Sequence, residues 1–120
     1  MKKIPPLRAL TIPQPHAEAI MRGKKLVDYR STATTVRGRI YIYASPERLD
    51  PEDEPAWLSE YDIDDVSSDE LPRGVVIGTV ELCDCTYNGR EFVWHFRNPD
   101  RAAELLTPTN KPMGIWFSPF

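Results

Sequence analysis

Residues 7–30, LRALTIPQPHAEAIMRGKKLVDYR, contain a pattern of strand, helix and strand in quick succession. Residues 7–12, Leu-Arg-Ala-Leu-Thr-Ile, predict a first strand with mixed faces, which the Pro-Gln-Pro step ends. A short helix follows, because Pro15 suits the first turn and Gly23 is placed to cap the C-terminus. Residues 26–30 are typical of a second strand. Strands this close to a short helix favour a mixed sheet over regular βαβ units.

The rest of the chain adds strands and one more predicted helix. Four further strands are predicted over residues 39–44, 74–85, 92–96 and 114–118. Asn98 is predicted to cap a helix that runs to Leu106, with a proline and an aspartate in its first turn. Gly78 marks a bulge or a close backbone approach within its strand. About six strands with two or three short helices predict an α+β fold, a small mixed or antiparallel β-barrel.

Length and composition predict a single domain over residues 1–120, with an acidic insertion at about 46–72. The 120 residues are close to the most common domain size, and the 12 prolines argue against a helical bundle. No apolar run is long enough to span a bilayer, and residues 1–6 lack the apolar stretch of a secretion signal. We therefore expect a cytoplasmic protein without a membrane partner.

Charge is spread unevenly along the chain. The net charge is -3, but residues 47–70 contain 11 acidic residues and one basic residue, which leaves a net charge of +7 on the rest. A basic surface beside an acidic flap is compatible with a nucleic-acid partner. The acidic insertion is either a solvated loop or a surface that binds a basic protein partner.

Residues 10–31 resemble the opening of ASCH domains, which belong to the PUA-like superfamily. Those domains begin with a strand, a Gln-Pro step and a helix, followed by Gly-x-Lys-x-x-Glu-x-Arg. Similar blocks follow at residues 37–45, 74–82 and 114–116. This chain departs from the pattern at Asp28, where Glu is usual, and at His16, where an aromatic residue such as Trp is common. The resemblance implies a PUA-like pseudo-barrel with a cleft beside the Gly-x-Lys motif, in a superfamily that binds RNA, modified bases or nucleotides.

Lys25, Asp28 and Arg30 are the strongest candidates for binding or catalysis. Lys25 lies between the helix and the next strand, so burial of its ammonium in a cleft would make it a base or a phosphate anchor. Asp28 and Arg30 are two residues apart on a strand and therefore project from the same face, where they pair or bind a ligand together. The alternative is a solvated Lys at a helix end beside a weak surface ion pair.

Three further residues are predicted to bind the ligand. Gln14 and His16 flank Pro15 at the start of the helix, where free backbone N–H groups attract anions and side chains can reach a base edge. Ser45 ends a strand near this region in the family pattern and offers a hydroxyl. Four aromatic residues are candidates for base stacking or for the core: Tyr41, Tyr43, Trp94 and Trp116. We predict no metal and no cofactor.

Three functions remain open from the sequence. The first is a module that binds RNA or a modified nucleotide in the cleft, with DNA as a further candidate. The second is a small hydrolase acting on RNA or on an acylated nucleoside, with Lys25 as base and Asp28 as orienting carboxylate. The family's acetylcytidine amidohydrolases resemble this chain in the Lys motif, but they carry a Thr at the position of Asp28. The third is a protein-interaction domain that uses the acidic insertion.

Overall fold

The computed structural model describes residues 6–120, and residues 1–5 of the predicted domain lie outside this range. The elements in chain order are β1 (Ala9–Ile12), α1 (His16–Met21), β2 (Val27–Arg30), β3 (Gly38–Ala44), α2 (Glu54–Glu60), β4 (Val75–Tyr87), β5 (Phe92–Leu106) and β6 (Trp116–Phe117). A 3-10 turn over Ser68–Glu70 precedes β4. Among the described residues, no helix is both long enough and apolar enough to cross a membrane.

The strands form one mixed sheet in the order β2-β5-β4-β3-β1-β6. The pair β1 and β3 is parallel, and the other pairs are antiparallel. Trp94 of β5 stacks on Trp116 of β6, with ring centroids 5.8 Å apart. Because β6 is one edge of the sheet and β5 lies next to the other edge, this contact accompanies a curl into a half-barrel. The predicted α+β fold with a small barrel-like sheet is confirmed.

The main core lies between α1 and the concave side of the sheet. Ile20 of α1 packs with Leu10, Ile42 and Ile77 from three strands, and all four side chains are fully buried. Burial of each such side chain contributes about 1.5 to 3 kcal/mol. The candidate stacking residues Tyr41, Tyr43 and Trp94 are also buried in the core. Their aromatic rings therefore stabilise the fold and do not offer a surface for a base.

The helix predicted from Asn98 to Leu106 is wrong, because β5 continues to Leu106. Arg101 is in register with Gly78 of β4, and Leu106 with Val76. Asn98 has a positive φ of 52°, which asparagine tolerates, and the β4–β5 register shifts close to this residue. The residues that resembled a helix cap thus lie beside a strand irregularity, and pairing with the long β4 overrides the local helix signal.

The acidic segment is folded against the rest of the domain. Glu54 of α2 is 1% exposed and binds Arg48 at 2.5 Å and Arg73 at 3.2 Å. Asp65 pairs at 2.6 Å with Arg22, the residue that follows the last turn of α1. The apolar residues of the segment pack on α1 as a small cluster separate from the main core: Leu58, Ile63 and Leu71 against Ala19. This segment therefore forms a fixed wall beside α1.

Candidate functional site

A cleft of about 430 Å³ opens between the start of α1, the β2 region and α2. Lys25 and Asp28 line one side of it, and His16 lies at the start of α1. Trp57 and Tyr61, from the acidic segment, line the opposite side. The fold therefore brings three predicted site residues together with two aromatic residues that are more than 25 positions away in sequence.

Asp28 lies between two cations. Its Oδ2 accepts a hydrogen bond from Arg30 Nε at 2.7 Å, and its Oδ1 lies 4.0 Å from Lys25 Nζ. The three side chains are 14% to 20% exposed. The Arg30 guanidinium also lies 5.2 Å from the ring centroid of Trp94, which fixes its position. The predicted pairing of Asp28 and Arg30 is confirmed, and the group carries one net positive charge when all three side chains are ionised.

The Lys25 ammonium is desolvated and has unused donors. Burial lowers the pKa of Lys25 below its usual value, Asp28 opposes this shift, and Arg30 adds to it. Within residues 6–120, Nζ makes no hydrogen bond, since its contact with Asp28 is longer than a hydrogen bond. An ammonium offers three donors, so this one is free to bind an acceptor that enters the cleft.

His16 lines the same cleft as Lys25 and Asp28 and contacts the aromatic wall, which consists of Trp57 and Tyr61. Its ring contacts Trp57 edge to face at 4.8 Å, and its Nδ1 lies 2.6 Å from the Tyr61 hydroxyl oxygen. The pKa of Tyr61 is raised to about 12, mainly by burial, so this hydroxyl stays protonated at neutral pH, and the His16 tautomer sets the direction of its hydrogen bond with Nδ1. Trp57 and Tyr61 stack on each other with centroids 6.1 Å apart. The sequence does contain a signal for this wall, because residues four apart share a helix face.

We predict that acidification destabilises the fold partly through His16. Its pKa is lowered to about 4, mainly by burial and further by Lys25, against the opposing effect of Asp28. The unfolded state therefore binds the extra proton between about pH 6.5 and pH 4, and stability falls as the pH decreases through that window. Because the ring is partly solvated, we expect a contribution of about 1 to 2 kcal/mol.

Urea unfolding at about pH 7 and about pH 4.5 checks this prediction. In the His16→Gln variant the acid-induced loss of unfolding free energy should be smaller by that amount, because every other titrating group is unchanged. Equal losses in the two proteins would show that His16 does not sense the pH.

Three predicted ligand-binding residues do not line the cleft: Arg30, which lies beside it and holds Asp28, and Gln14 and Ser45, which are buried elsewhere. Gln14 is fully buried, where its Nε2 donates to the Pro72 carbonyl at 3.0 Å and its Oε1 accepts from the Glu18 amide at 2.9 Å. Both ends of this amide are thus used to hold the start of α1, and no base edge can reach them. Ser45 is buried beside a separate pocket, where its Oγ accepts from the Glu47 amide. In the described part of the chain, no group of three or more His, Cys, Asp or Glu residues is placed to hold a metal ion.

The family model of the ASCH domain matches residues 10–111, which include the whole cleft. The chain belongs to the ASCH domain family. The predicted resemblance is thereby confirmed, and ASCH domains are a PUA-like family of RNA-binding modules. Lys25, Asp28 and Arg30 of this ASCH domain all lie within the matched range.

Two curated relatives of this ASCH domain carry the same name. Human activating signal cointegrator 1 is 31% identical over 103 residues, which cover 82% of this chain and 17% of the human protein. Mouse activating signal cointegrator 1 is 34% identical over 80 residues, which cover 63% of this chain and 14% of the mouse protein. The chain thus spans less than a fifth of the length of these relatives.

Proposed function

We propose that this ASCH domain binds a nucleobase, from RNA or from a modified nucleotide, in the cleft beside Lys25 and Asp28. The observation that carries the proposal is the Lys25 ammonium, which is desolvated and makes no hydrogen bond within residues 6–120. A charged donor that is only 14% exposed is costly unless a partner satisfies it, so its position in a cleft supports a ligand-binding role.

The polar side of the cleft is complementary to the edge of a base. Lys25 donates to a carbonyl oxygen or a ring nitrogen, and Asp28 Oδ1 accepts from an exocyclic amino group. Arg30 holds Asp28 through Oδ2, which leaves Oδ1 directed toward Lys25. Base edges carry donors and acceptors side by side, so a neighbouring ammonium and carboxylate can bind both at once.

The apolar side of the cleft supports stacking. Trp57 is 40% exposed, and Tyr29 across the cleft is 52% exposed. Partly exposed aromatic rings on both sides of a cleft suit a flat aromatic guest, because each base that stacks on such a ring gains about 1 to 3 kcal/mol. The acidic segment contributes to this function through Trp57.

The Trp57→Ala variant is expected to bind the ligand about tenfold more weakly, because it loses one stacking surface. Isothermal titration against single-stranded RNA, DNA and a panel of natural and modified nucleosides, at about 0.1 M salt to screen surface charge, measures this. Tyr87→Ala is the matched control, since Tyr87 is 61% exposed and lies outside the lining of the cleft. Equal affinities of Trp57→Ala and the wild type would show that Trp57 does not contact the ligand. If none of these ligands bound to the wild-type protein, the proposed function would be wrong.

Hydrolysis of an acylated nucleoside or of RNA is the second candidate. The lowered pKa of Lys25 favours it, because a desolvated amine deprotonates more readily and can serve as a base. Binding without chemistry is nevertheless better supported. No Ser or Thr side chain among the described residues lines the cleft, so the Thr of the family's amidohydrolases has no counterpart in this lining. Incubation of acetylcytidine or RNA with high concentrations of the protein tests this, and a complete lack of product would exclude the hydrolase.

A further inference from the structure

The arginines of this protein divide into two groups by their partners. Six of them form ion pairs with carboxylates: Arg22, Arg30, Arg48, Arg73, Arg97 and Arg101. Within residues 6–120, the other four form no ion pair: Arg8, Arg37, Arg39 and Arg90. Three of these four line a single groove, so the unpaired charge is concentrated at one place.

This groove has a volume of about 380 Å³ and lies between the residues before β1 and the start of β3. Arg8, Arg37 and Arg39 line it and are all exposed, and no acidic side chain among the described residues contributes to its lining. Glu81, the cross-strand neighbour of Arg39, is bound by Arg97 at 2.6 Å. The three guanidinium groups therefore create a local positive field, which the electrostatic interaction between Arg39 and Glu81 offsets only in part.

Two of the three side chains are held in place by backbone oxygens. Arg37 Nη1 donates to the carbonyls of Thr34 and Val36, at 3.0 and 2.9 Å. Arg39 Nη1 donates to the Asn98 carbonyl. Each guanidinium has five N–H donors, so most of them remain available. Planar donors that are already oriented match the oxygens of a phosphate and lose less entropy on binding than free side chains.

We propose that Arg8, Arg37 and Arg39 bind the phosphodiester backbone of a single-stranded nucleic acid. This second contact lies outside the base-binding cleft and goes beyond the function proposed for it. The two sites are linked by the chain between Arg30, beside the cleft, and Arg37, so their α-carbons are at most about 25 Å apart. An oligonucleotide of about twelve residues, with a stacked length of about 40 Å, is long enough to occupy both.

The test compares two double variants with the same change in charge. Arg8→Gln/Arg37→Gln removes two groove arginines, and Arg90→Gln/Lys111→Gln removes two exposed cations outside the groove. The ligand is a mixed-sequence single-stranded RNA of about twelve nucleotides, titrated over a range of salt concentrations. For two lost phosphate contacts we expect about 20-fold weaker binding at 0.1 M salt and a slope of log K against log salt that is shallower by about 1.4. The control variant should change both quantities far less.

A nucleoside bound in the cleft separates this proposal from the preceding one. The groove variant should keep the wild-type affinity for that nucleoside, whereas Lys25→Met should lose it. Arg8→Glu provides a second test, because the Arg8 side chain makes no ion pair within residues 6–120 and its exchange leaves the contacts of Arg37 intact. An unchanged salt slope in both groove variants, or equal losses in the control, would overturn the proposal. Tighter, arginine-dependent binding of an acidic peptide than of RNA would overturn the assignment to nucleic acid.

Discussion

The Lys25→Met variant is expected to bind the nucleobase ligand about 30- to 100-fold more weakly than the wild type. The methionine keeps the approximate length of the side chain and removes the ammonium, so a charged hydrogen bond worth about 2 to 2.7 kcal/mol is lost. Stability should change little, because the variant removes a desolvated cation that makes no hydrogen bond within residues 6–120. Titration calorimetry and urea unfolding of the same samples measure the two effects.

Lys24→Met is the matched control for this variant. Lys24 is adjacent, exposed and also borders the cleft, so the two substitutions remove the same charge from the same region. We expect less than about a threefold loss of affinity for Lys24→Met, because a solvated surface charge is largely screened. Similar losses of affinity in both variants would mean that the lysines act through non-specific electrostatic attraction. The assignment of Lys25 as a direct ligand contact would then be wrong.

The Gly78→Ala variant is expected to lower the free energy of unfolding by about 2 to 3 kcal/mol. Gly78 lies on β4 beside a close approach of the β5 backbone and a register shift, where the sequence predicted a bulge or a close backbone approach. A Cβ at this position would lie 2.5 Å from the Asp100 carbonyl oxygen and 2.5 Å from Met21 Sδ. The Met21 side chain can move, but the Asp100 carbonyl belongs to the paired backbone of β5. Urea unfolding of the variant measures the loss.

The double variant Gly78→Ala/Met21→Ala shows how much of the loss comes from the contact of the new methyl group with Met21 and how much from its contact with the Asp100 carbonyl. Removal of the Met21 side chain opens space for the new methyl group, so the combined loss should be smaller than the sum of the two single losses. It should not return to the value of Met21→Ala alone, since the contact with Asp100 remains. A Gly78→Ala protein within about 0.5 kcal/mol of the wild type would contradict the close approach of β4 and β5.

The strands and the charged residues at the cleft are predictable from the sequence, because both depend on local patterns. Strand periodicity places Asp28 and Arg30 on one face, and the structure pairs them. The continuation of β5 beyond Asn98 was missed because it depends on pairing with β4, which a local helix signal does not reveal.

Long-range contacts explain why the sequence did not predict Trp57 as a site residue and why Gln14 was wrongly predicted as one. The contribution of Trp57 depends on α2 folding back over α1, which follows from contacts such as that between Asp65 and Arg22. Gln14 was predicted to bind the ligand because it lies at the start of a helix. It is instead fully buried, with its side-chain amide bonded to the Pro72 carbonyl. Partners more than 40 positions away in sequence decide both outcomes, and local patterns do not contain this information.

The most direct test of the cleft as a nucleobase site is an NMR titration of the labelled protein with the nucleoside that binds best in the calorimetric screen. We predict that the indole N–H signal of Trp57 and the amide signals of Lys25 and Tyr29 move in a saturable way, while the buried Trp94 indole stays close to its starting position. Saturable shifts confined to residues outside the cleft, with the Trp57 and Lys25 signals unchanged, would contradict the account.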